Sequence, residues 1–377
     1  MMKRILALKS AGALKNELYS VYVRHFTHAT LVEGTLKGSG LPCRCLLVMT
    51  RNSPFENYLL GKLFEGSFKR LSVRRMWIPT LKKLAKHPPP GVDFIVASLA
   101  RKWDREFEGL HHLKSPPIVR QVLDLSGDWT DIKKRLNRKK REVFNGLLTT
   151  NRYGYRVSRD PRDFERFYYQ MYVPHTKKQF QAAARVDSYA SLKTNFDNGF
   201  LLMLTEGGQD VAASLCYIKG DTMTFHRGGV LDGSEEHVKN GAQTVLYFFK
   251  VQYAKERDLS RLDLQHSRAF FDDGVYRHKR EWGASVSVDH DIVSWMYLFD
   301  PKGSAQAAAF LHKNPLIVQT KDGLVGYCES AHDGAPAKTK KGDLEKRYYA
   351  PGLGGMRVRS GGAETSFRFD SSAPPNR

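Results

Sequence analysis

The sequence predicts a mixed-sheet α/β protein, and three observations carry that prediction. Short β-prone apolar runs recur between stretches whose apolar residues stand at helical spacing. Helix starts are marked by caps, the clearest being Asp160-Pro161-Arg162-Asp163, with a cap residue, proline at the first helical position and an acid at the third. One passage, Met223 to Ala284, reads strand, helix, strand, and a crossover of that length joins parallel strands with a right-handed turn.

The rest of the chain is organised around that passage. Its first strand ends in Phe225-His226-Arg227-Gly228-Gly229, and a helix over Glu235 to Arg257 carries Val238, Ala242, Val245, Leu246, Phe249 and Tyr253 on one face. Leu262-Asp263-Leu264 makes a short buried strand, followed by a polar loop that ends at Trp282-Gly283-Ala284. The helix is reached through Gly228-Gly229 and Asp232-Gly233, and the free backbone donors at its start attract anions.

Taken in order, Leu14 to Phe26 reads as a helix running into a strand, Cys43 to Thr50 as a strand, and Ser67 to Trp77 as a partly alternating one. Thr80 to His87 is a helix stopped by Pro88-Pro89-Pro90, and Val92 to Ser98 a buried strand. After Ser115-Pro116-Pro117, Ile118 to Leu125 is a strand and Trp129 to Arg141 a basic helix. The helix from Asp160 is expected to end at Pro174, and Ser188 to start another. Phe200 to Thr205, Val211 to Ile218 and Thr222 to Gly229 form an antiparallel meander, with glycine turns at Gly207-Gly208 and Gly220-Asp221. Ser294 to Phe299 reads as a last strand and Pro301 to Leu311 as a helix; beyond Ser330 the Gly, Ser, Ala, Pro and Lys content predicts a flexible tail.

At 377 residues the chain has room for two domains. The divisions expected are a basic unit over 1–117, a main domain over 118–329 and the tail over 330–377. Residues 1–118 hold 20 Lys or Arg against 8 Asp or Glu, and Lys133 to Arg141 adds seven further cations with no acid. Such a field attracts polyanions: nucleic acid, a phosphorylated co-substrate or an anionic lipid surface. A solvated helix surface is the plain alternative for Lys133 to Arg141. No apolar run approaches the length of a membrane span, and four apolar residues before Lys9 are too few for a secretory leader, so a cytoplasmic location, or one peripheral to the inner face of the membrane, is expected. Cys43, Cys45, Cys216 and Cys328 read as reduced thiols; one Cys-x-Cys without a second pair is weak as a zinc site, and no metal is expected.

The order of elements, with an antiparallel meander, a glycine-containing turn, a helix and a further strand, resembles the acyltransferase superfamily called GNAT. More particularly, Trp129 to Arg141, Arg152-Tyr153-Gly154-Tyr155, Phe225 to Gly233, Leu262-Asp263-Leu264 and Asp273 to Gly283 together resemble its Fem-type and CelD-like branch. The resemblance covers Ile118 to Val288 and implies two GNAT-like units side by side, the first the more divergent. It implies acyl transfer to an amine, less often a hydroxyl, of a small molecule, a sugar, a peptide or another cell-envelope acceptor. GNAT enzymes hold acyl-CoA, acetyl-CoA among them, on amides at the start of the central helix; Val238-Lys239-Asn240-Gly241-Ala242 matches a fragment of that pattern, with Lys239 closer to Gly241 than the pattern places it. Fem-type enzymes take an aminoacyl group from tRNA instead, and their C-terminal lysine, aromatic and glycine are matched by Lys279, Trp282 and Gly283.

The residues themselves suggest parts for such chemistry. Asp263, in an apolar strand, is either a base with a raised pKa or a carboxylate bonded to nearby backbone. His226 and His266 fall at strand ends near the expected mouth of the cleft, as substrate-binding or structural groups. Tyr276 is a candidate acid for a leaving thiolate, or simply packed. Gly228 and Gly229 let backbone approach a ligand or form a bulge. Arg227, Arg268 and Lys279 supply positive charge for phosphate or carboxylate. A non-catalytic protein of the same fold, binding an anionic polymer or membrane, is the competing expectation.

Overall fold

The computed structural model describes residues 25–136, 138–149, 153–181, 184–289, 291, 294–330 and 341–369. Most of the segment from Leu14 to Phe26, and Arg152, lie outside them. The first five strands are β1 (Phe26–Leu36), β2 (Pro42–Met49), β3 (Phe64–Trp77), β4 (Phe94–Ala100) and β5 (Leu113–Ser115). The next seven are β6 (Ile118–Asp124), β7 (Tyr153–Ser158), β8 (Phe200–Glu206), β9 (Gln209–Lys219), β10 (Thr222–Val230), β11 (Arg261–Arg268) and β12 (Ser285–Ser287). Strand β13 (Ser294–Phe299) precedes β14 (Leu316–Thr320), β15 (Gly323–Glu329), β16 (Leu353–Ser360) and β17 (Ala363–Arg368).

They form three sheets, ordered β3-β1-β2-β4-β13-β5, β12-β6-β11-β10-β9-β8-β7 and β14-β15-β16-β17. The expected joint at Pro117 falls between β5 of the first sheet and β6 of the second, but β13 returns to the first sheet and pairs with both β4 and β5. Each of the two larger sheets contains one parallel pair among antiparallel ones, β2 with β4 and β10 with β11. In the second sheet the meander β7 to β10 is antiparallel throughout.

Two apolar layers cover that sheet. Helix Ala242–Lys255 lays Val245, Leu246, Phe249 and Tyr253 on one face, with Leu262 and Leu264 of β11 beneath it. Phe164, Phe167, Met171, Leu192 and Phe196 cover the other face, against Leu201, Met203, Ala213 and Leu215. No helix among the described residues is long and apolar enough to cross a membrane.

Several local expectations are corrected. The helix expected over Glu235 to Arg257 is two, Glu235–Lys239 and Ala242–Lys255, because Gly241 takes a left-handed conformation (φ 87°) between them. Pro174 does not end its helix. A π-helical turn, Phe167–Tyr172, comes just before it, and the chain continues as Val173–Phe180 with the proline at its second residue. The basic helix breaks into Trp129–Arg135 and Arg138–Thr149, since Leu136 is extended and turns its side chain into the core.

The polar loop before Trp282 is a helix, Gly274–Glu281, capped by the Asp273 carboxylate on the Tyr276 N–H. Its charge-rich surface hides the only side chains it buries, Tyr276 and Lys279. The expected flexible tail is also corrected: residues 341–369 hold helix Lys341–Tyr348, β16 and β17. Leu344, Tyr348, Leu353, Met356 and Val358 build an apolar cluster with Phe271 and Tyr276. Glycine there is a packing device; a Cβ on Gly355 would stand 2.1 Å from the Phe367 carbonyl oxygen.

Candidate active site

Strands β10 and β11 pair only from Thr222 to Thr224 against Arg261 to Asp263, and past those residues their ladder stops. Both strands are bulged just there. The β10 register shifts between Phe225 and Arg227, and that of β11 against β6 shifts between Asp263 and His266. Bulges re-aim side chains and end pairing. The β11 bulge puts Gln265 in the left-handed region (φ 64°), and the Asp263 carboxylate accepts the Gln265 N–H at 2.9 Å, which holds the turn.

Lys279 reaches this gap from helix Gly274–Glu281. Its Nζ donates to the carbonyls of Gln265 (3.2 Å) and His266 (2.8 Å), beyond the last residue that β10 pairs. The side chain is almost wholly buried. Burial brings its pKa down to about 7, with Asp263 and Asp273 working against the shift and Arg227 adding to it.

Four side chains form a chain of charge beside Lys279. His266 Nε2 donates to Asp289 Oδ2 at 2.5 Å, and Arg120, opposite His266 in β6, donates to Asp263 at 2.7 Å and lies 3.7 Å from Asp289. The Asp291 N–H holds the Asp289 carboxyl below the usual carboxylate range, and His266 adds to this. With Nε2 bound to a carboxylate, the neutral form of His266 has Nδ1 as its acceptor, and the imidazole remains partly exposed. Asp263 is nearly unexposed, and both its oxygens are engaged, by Arg120 and by Gln265. That geometry makes it the clamp of the bulge.

The other expected residues divide into three groups. Trp282 is buried in the core beside helix Ala242–Lys255, its ring stacked on Tyr247 at 5.4 Å. Arg227 and His226 lie on the β10 side: Arg227 donates to Asp187 at 2.6 Å, and the Asn195 amide donates to His226 Nε2 at 3.3 Å.

Arg268 is engaged elsewhere, over Phe55 and Tyr58 of helix Pro54–Leu63, where Tyr58 also donates to Asp273. Tyr276 is fully buried in the cluster beneath the third sheet, and burial raises its phenol far above the ordinary value, away from a role as acid. Lys239 is exposed and pairs with Glu235, and the Asn240 carbonyl accepts from Tyr153. Gly241 caps helix Ala242–Lys255 with no side chain to occupy its first-turn donors. At Gly229 a Cβ would come within 2.4 Å of the Met171 carbonyl carbon, so this glycine is required by packing. Gly228 sits against the Phe225 ring.

The basic run is largely paired: Lys134 with Asp131, Arg135 with Asp124, Arg138 with Glu142 and Lys140 with Glu281. Sequence reasoning missed Arg120, Asp289 and Lys250. The first two are remote in sequence from their partners. Lys250 stands on the apolar stripe of its helix, one turn beyond Leu246, and that position was the available signal.

Residues 131–280 match the family model of the acetyltransferase (GNAT) domain. That segment is a GNAT-type acyltransferase domain. It contains the parting of β10 from β11, together with Asp263, His266 and Lys279, while Arg120 and Asp289 lie just outside it. Among curated proteins none matches the chain. Among solved structures, FemX matches at 10% identity over 72% of this chain and 84% of its own, with a TM-score of 0.38. L-PGS from Bacillus licheniformis matches at 11% identity over 70% of this chain and 79% of its own, with a TM-score of 0.34. The acyltransferase assignment rests on the domain match.

Proposed function

We propose that the domain transfers an acyl group to an amine, with the donor's reactive carbonyl lying where β10 and β11 part. The observation that carries this reading is the convergence, at that parting, of a histidine oriented by a carboxylate and a buried lysine near neutrality. His266 Nδ1 takes the proton the acceptor amine loses on attack, and Asp289 keeps the ring in the tautomer that can do so. As the adduct collapses with cleavage of the bond to the donor, the imidazolium returns that proton to the departing thiolate or ribose oxygen. The Lys279 ammonium, fixed on two carbonyls, is the nearby positive charge for the oxyanion that develops. The uncapped first turn of Ala242–Lys255 offers backbone donors to the phosphates of acyl-CoA. The acceptor is a small molecule, sugar or peptide amine.

The test is a binding and turnover screen of the full chain with acetyl-CoA, free CoA and aminoacyl-tRNA. A bound donor should raise the thermal midpoint, and His266→Ala should keep that response while losing transfer. Absence of binding to every donor would sink the reading in favour of a non-catalytic protein.

A second reading, an aminoacyl-tRNA donor, is favoured by one feature. The edge strand β3 exposes Lys69 and Arg74, and helix Thr80–Lys86, which follows it, exposes Lys82, Lys83 and Lys86. A surface of this kind also suits an anionic membrane face. Residues 1–117, whose sheet β13 completes, are taken as the divergent first unit that carries this surface.

A further inference from the structure

Lys250 is the one charged residue that helix Ala242–Lys255 buries. It is 1% exposed, and its Nζ lies 3.5 Å from the centre of the Phe225 ring and 4.0 Å from that of Tyr247. Among the described residues it has no hydrogen-bond acceptor and no carboxylate. Two ring faces return on the order of 2 kcal/mol to a desolvated ammonium, while burying an unpaired charge costs several. An apolar side chain of similar shape would serve the core better, so packing does not account for this lysine.

A second donor without an acceptor stands in the same aromatic cluster. Trp282, also 1% exposed, has an indole N–H with no partner, and its ring stacks on Tyr247. Charged and titratable groups around Lys250 offer no compensating carboxylate. Burial lowers Lys250 to about 7; Cys216 of β9 opposes the shift and Lys279 adds to it. His278, edge-on to Tyr247 at 4.8 Å, is brought down to about 3 by burial and by Lys140, Lys250 and Lys279. The enclosure is rich in donors and cations and lacks an anion.

Phe225, the ring nearest Lys250, is the first β10 residue beyond the paired segment, so the enclosure borders the inner end of the gap. We propose that Lys250 and Trp282 form a buried subsite for a carboxylate at the far end of the transferred acyl group. The group carried is then a carboxyacyl group, whether it arrives on coenzyme A or on tRNA. This rests on the acyl-transfer reading for its place in a reaction, though not for the binding itself. A carboxylate suits the enclosure better than a phosphate, because a single charge costs less to desolvate among aromatic rings.

The test needs no acyl donor. The full chain, with lysine 13Cε-labelled, is titrated with pH in the presence and absence of succinate, and separately with inorganic phosphate. Succinate should raise the Lys250 midpoint by about one unit or more and the thermal midpoint by about 2 °C or more, and phosphate should do neither. Lys250→Met should abolish the thermal response to succinate and raise the unliganded midpoint, since it removes an unpaired buried charge. A Lys250→Met protein less stable than the parent marks a structural lysine and overturns the proposal. So does a succinate response that survives the substitution, is matched by phosphate, or is absent from the parent chain. Failure of the acyl-transfer reading would show separately, as loss of donor binding in the screen above.

Discussion

His266 Nε2 lies 2.5 Å from Asp289 Oδ2, while the backbone carbonyl of the same histidine accepts a hydrogen bond from Lys279 at 2.8 Å. Side chain and main chain of one residue thereby tie together the two groups proposed to carry the reaction. Replacing Asp289 by Asn keeps the size of the group but removes the charge that fixes the imidazole tautomer. Asp289→Asn should lower kcat by about 10²-fold or more with little change in donor KM, and His266→Ala should lower it at least as far. Steady-state kinetics decide it, and an Asp289→Asn enzyme with parental kcat would remove His266 from the mechanism.

Lys279 bonds two backbone carbonyls and, in the proposed reaction, also faces the developing oxyanion; two substitutions separate these duties. Lys279→Met leaves the Gln265 and His266 carbonyls without their donor, at a cost of about 1–3 kcal/mol for an orphaned group. It should also lower kcat by about 10²-fold or more. Lys279→Arg retains charge but cannot place a compact ammonium between two carbonyls, so it should recover stability more than activity. Urea unfolding and kcat measured on the same samples report the split; equal loss in both variants on both measurements would contradict it.

Gly229 lets β10 pack against the π-helical turn Phe167–Tyr172 through what it lacks. A Cβ there would stand 2.4 Å from the Met171 carbonyl carbon and 2.5 Å from the Tyr172 nitrogen, so Gly229→Ala should destabilise the chain by about 2 kcal/mol or more. Gly61, within helix Pro54–Leu63, is the opposite case: a Cβ added to it would meet no atom within 4 Å, so Gly61→Ala should stabilise by about 0.5–1 kcal/mol. Denaturant midpoints of the two variants should move in opposite directions.

The surface of the first sheet makes its own prediction about the donor. If β3 and helix Thr80–Lys86 receive a tRNA backbone, affinity for tRNA should fall by about a hundredfold or more between 50 and 200 mM salt. Lys82→Glu with Lys86→Glu should then weaken binding and flatten the salt dependence by about one unit of slope per lost phosphate contact. An unchanged slope would leave these lysines their other physical use, keeping the exposed edge strand β3 from pairing with a second molecule.

Much of this arrangement is legible in the sequence, and the limits have physical causes. The meander and the parallel crossover show because strands of period two and a helix of period near four differ in pattern, and the turns at Gly207-Gly208 and Gly220 mark the joints. Lys279, His266 and Trp282 are readable as chemistry-bearing residues close together in the chain. Their partners are not, because Arg120 meets Asp263 across 143 residues and Asp289 meets His266 only after β11 and its helix have folded back. The sheet formed by β14 to β17 is hidden by its glycines, which suggest flexibility by composition but serve close strand packing.

The buried lysines also fix how stability should depend on pH. Lys250 and Lys279 are each lowered from 10.5 to about 7 in the folded chain. Between about pH 7 and 10.5 the unfolded chain therefore holds protons that the folded chain has released, so these groups make stability rise with pH across that window. Below about pH 7 both lysines are charged in the folded state and their full burial penalty applies. Lys250→Met removes one of the two contributions. Its stability advantage over the parent should be largest near pH 6, shrink as pH rises through 7, and be nearly gone by about pH 10. Chemical unfolding of parent and variant across that range measures the difference directly, with every unaltered titrating group common to both. A gap that stayed constant with pH would mean that Lys250 keeps an ordinary lysine's affinity for its proton, and that the enclosure is already neutralised.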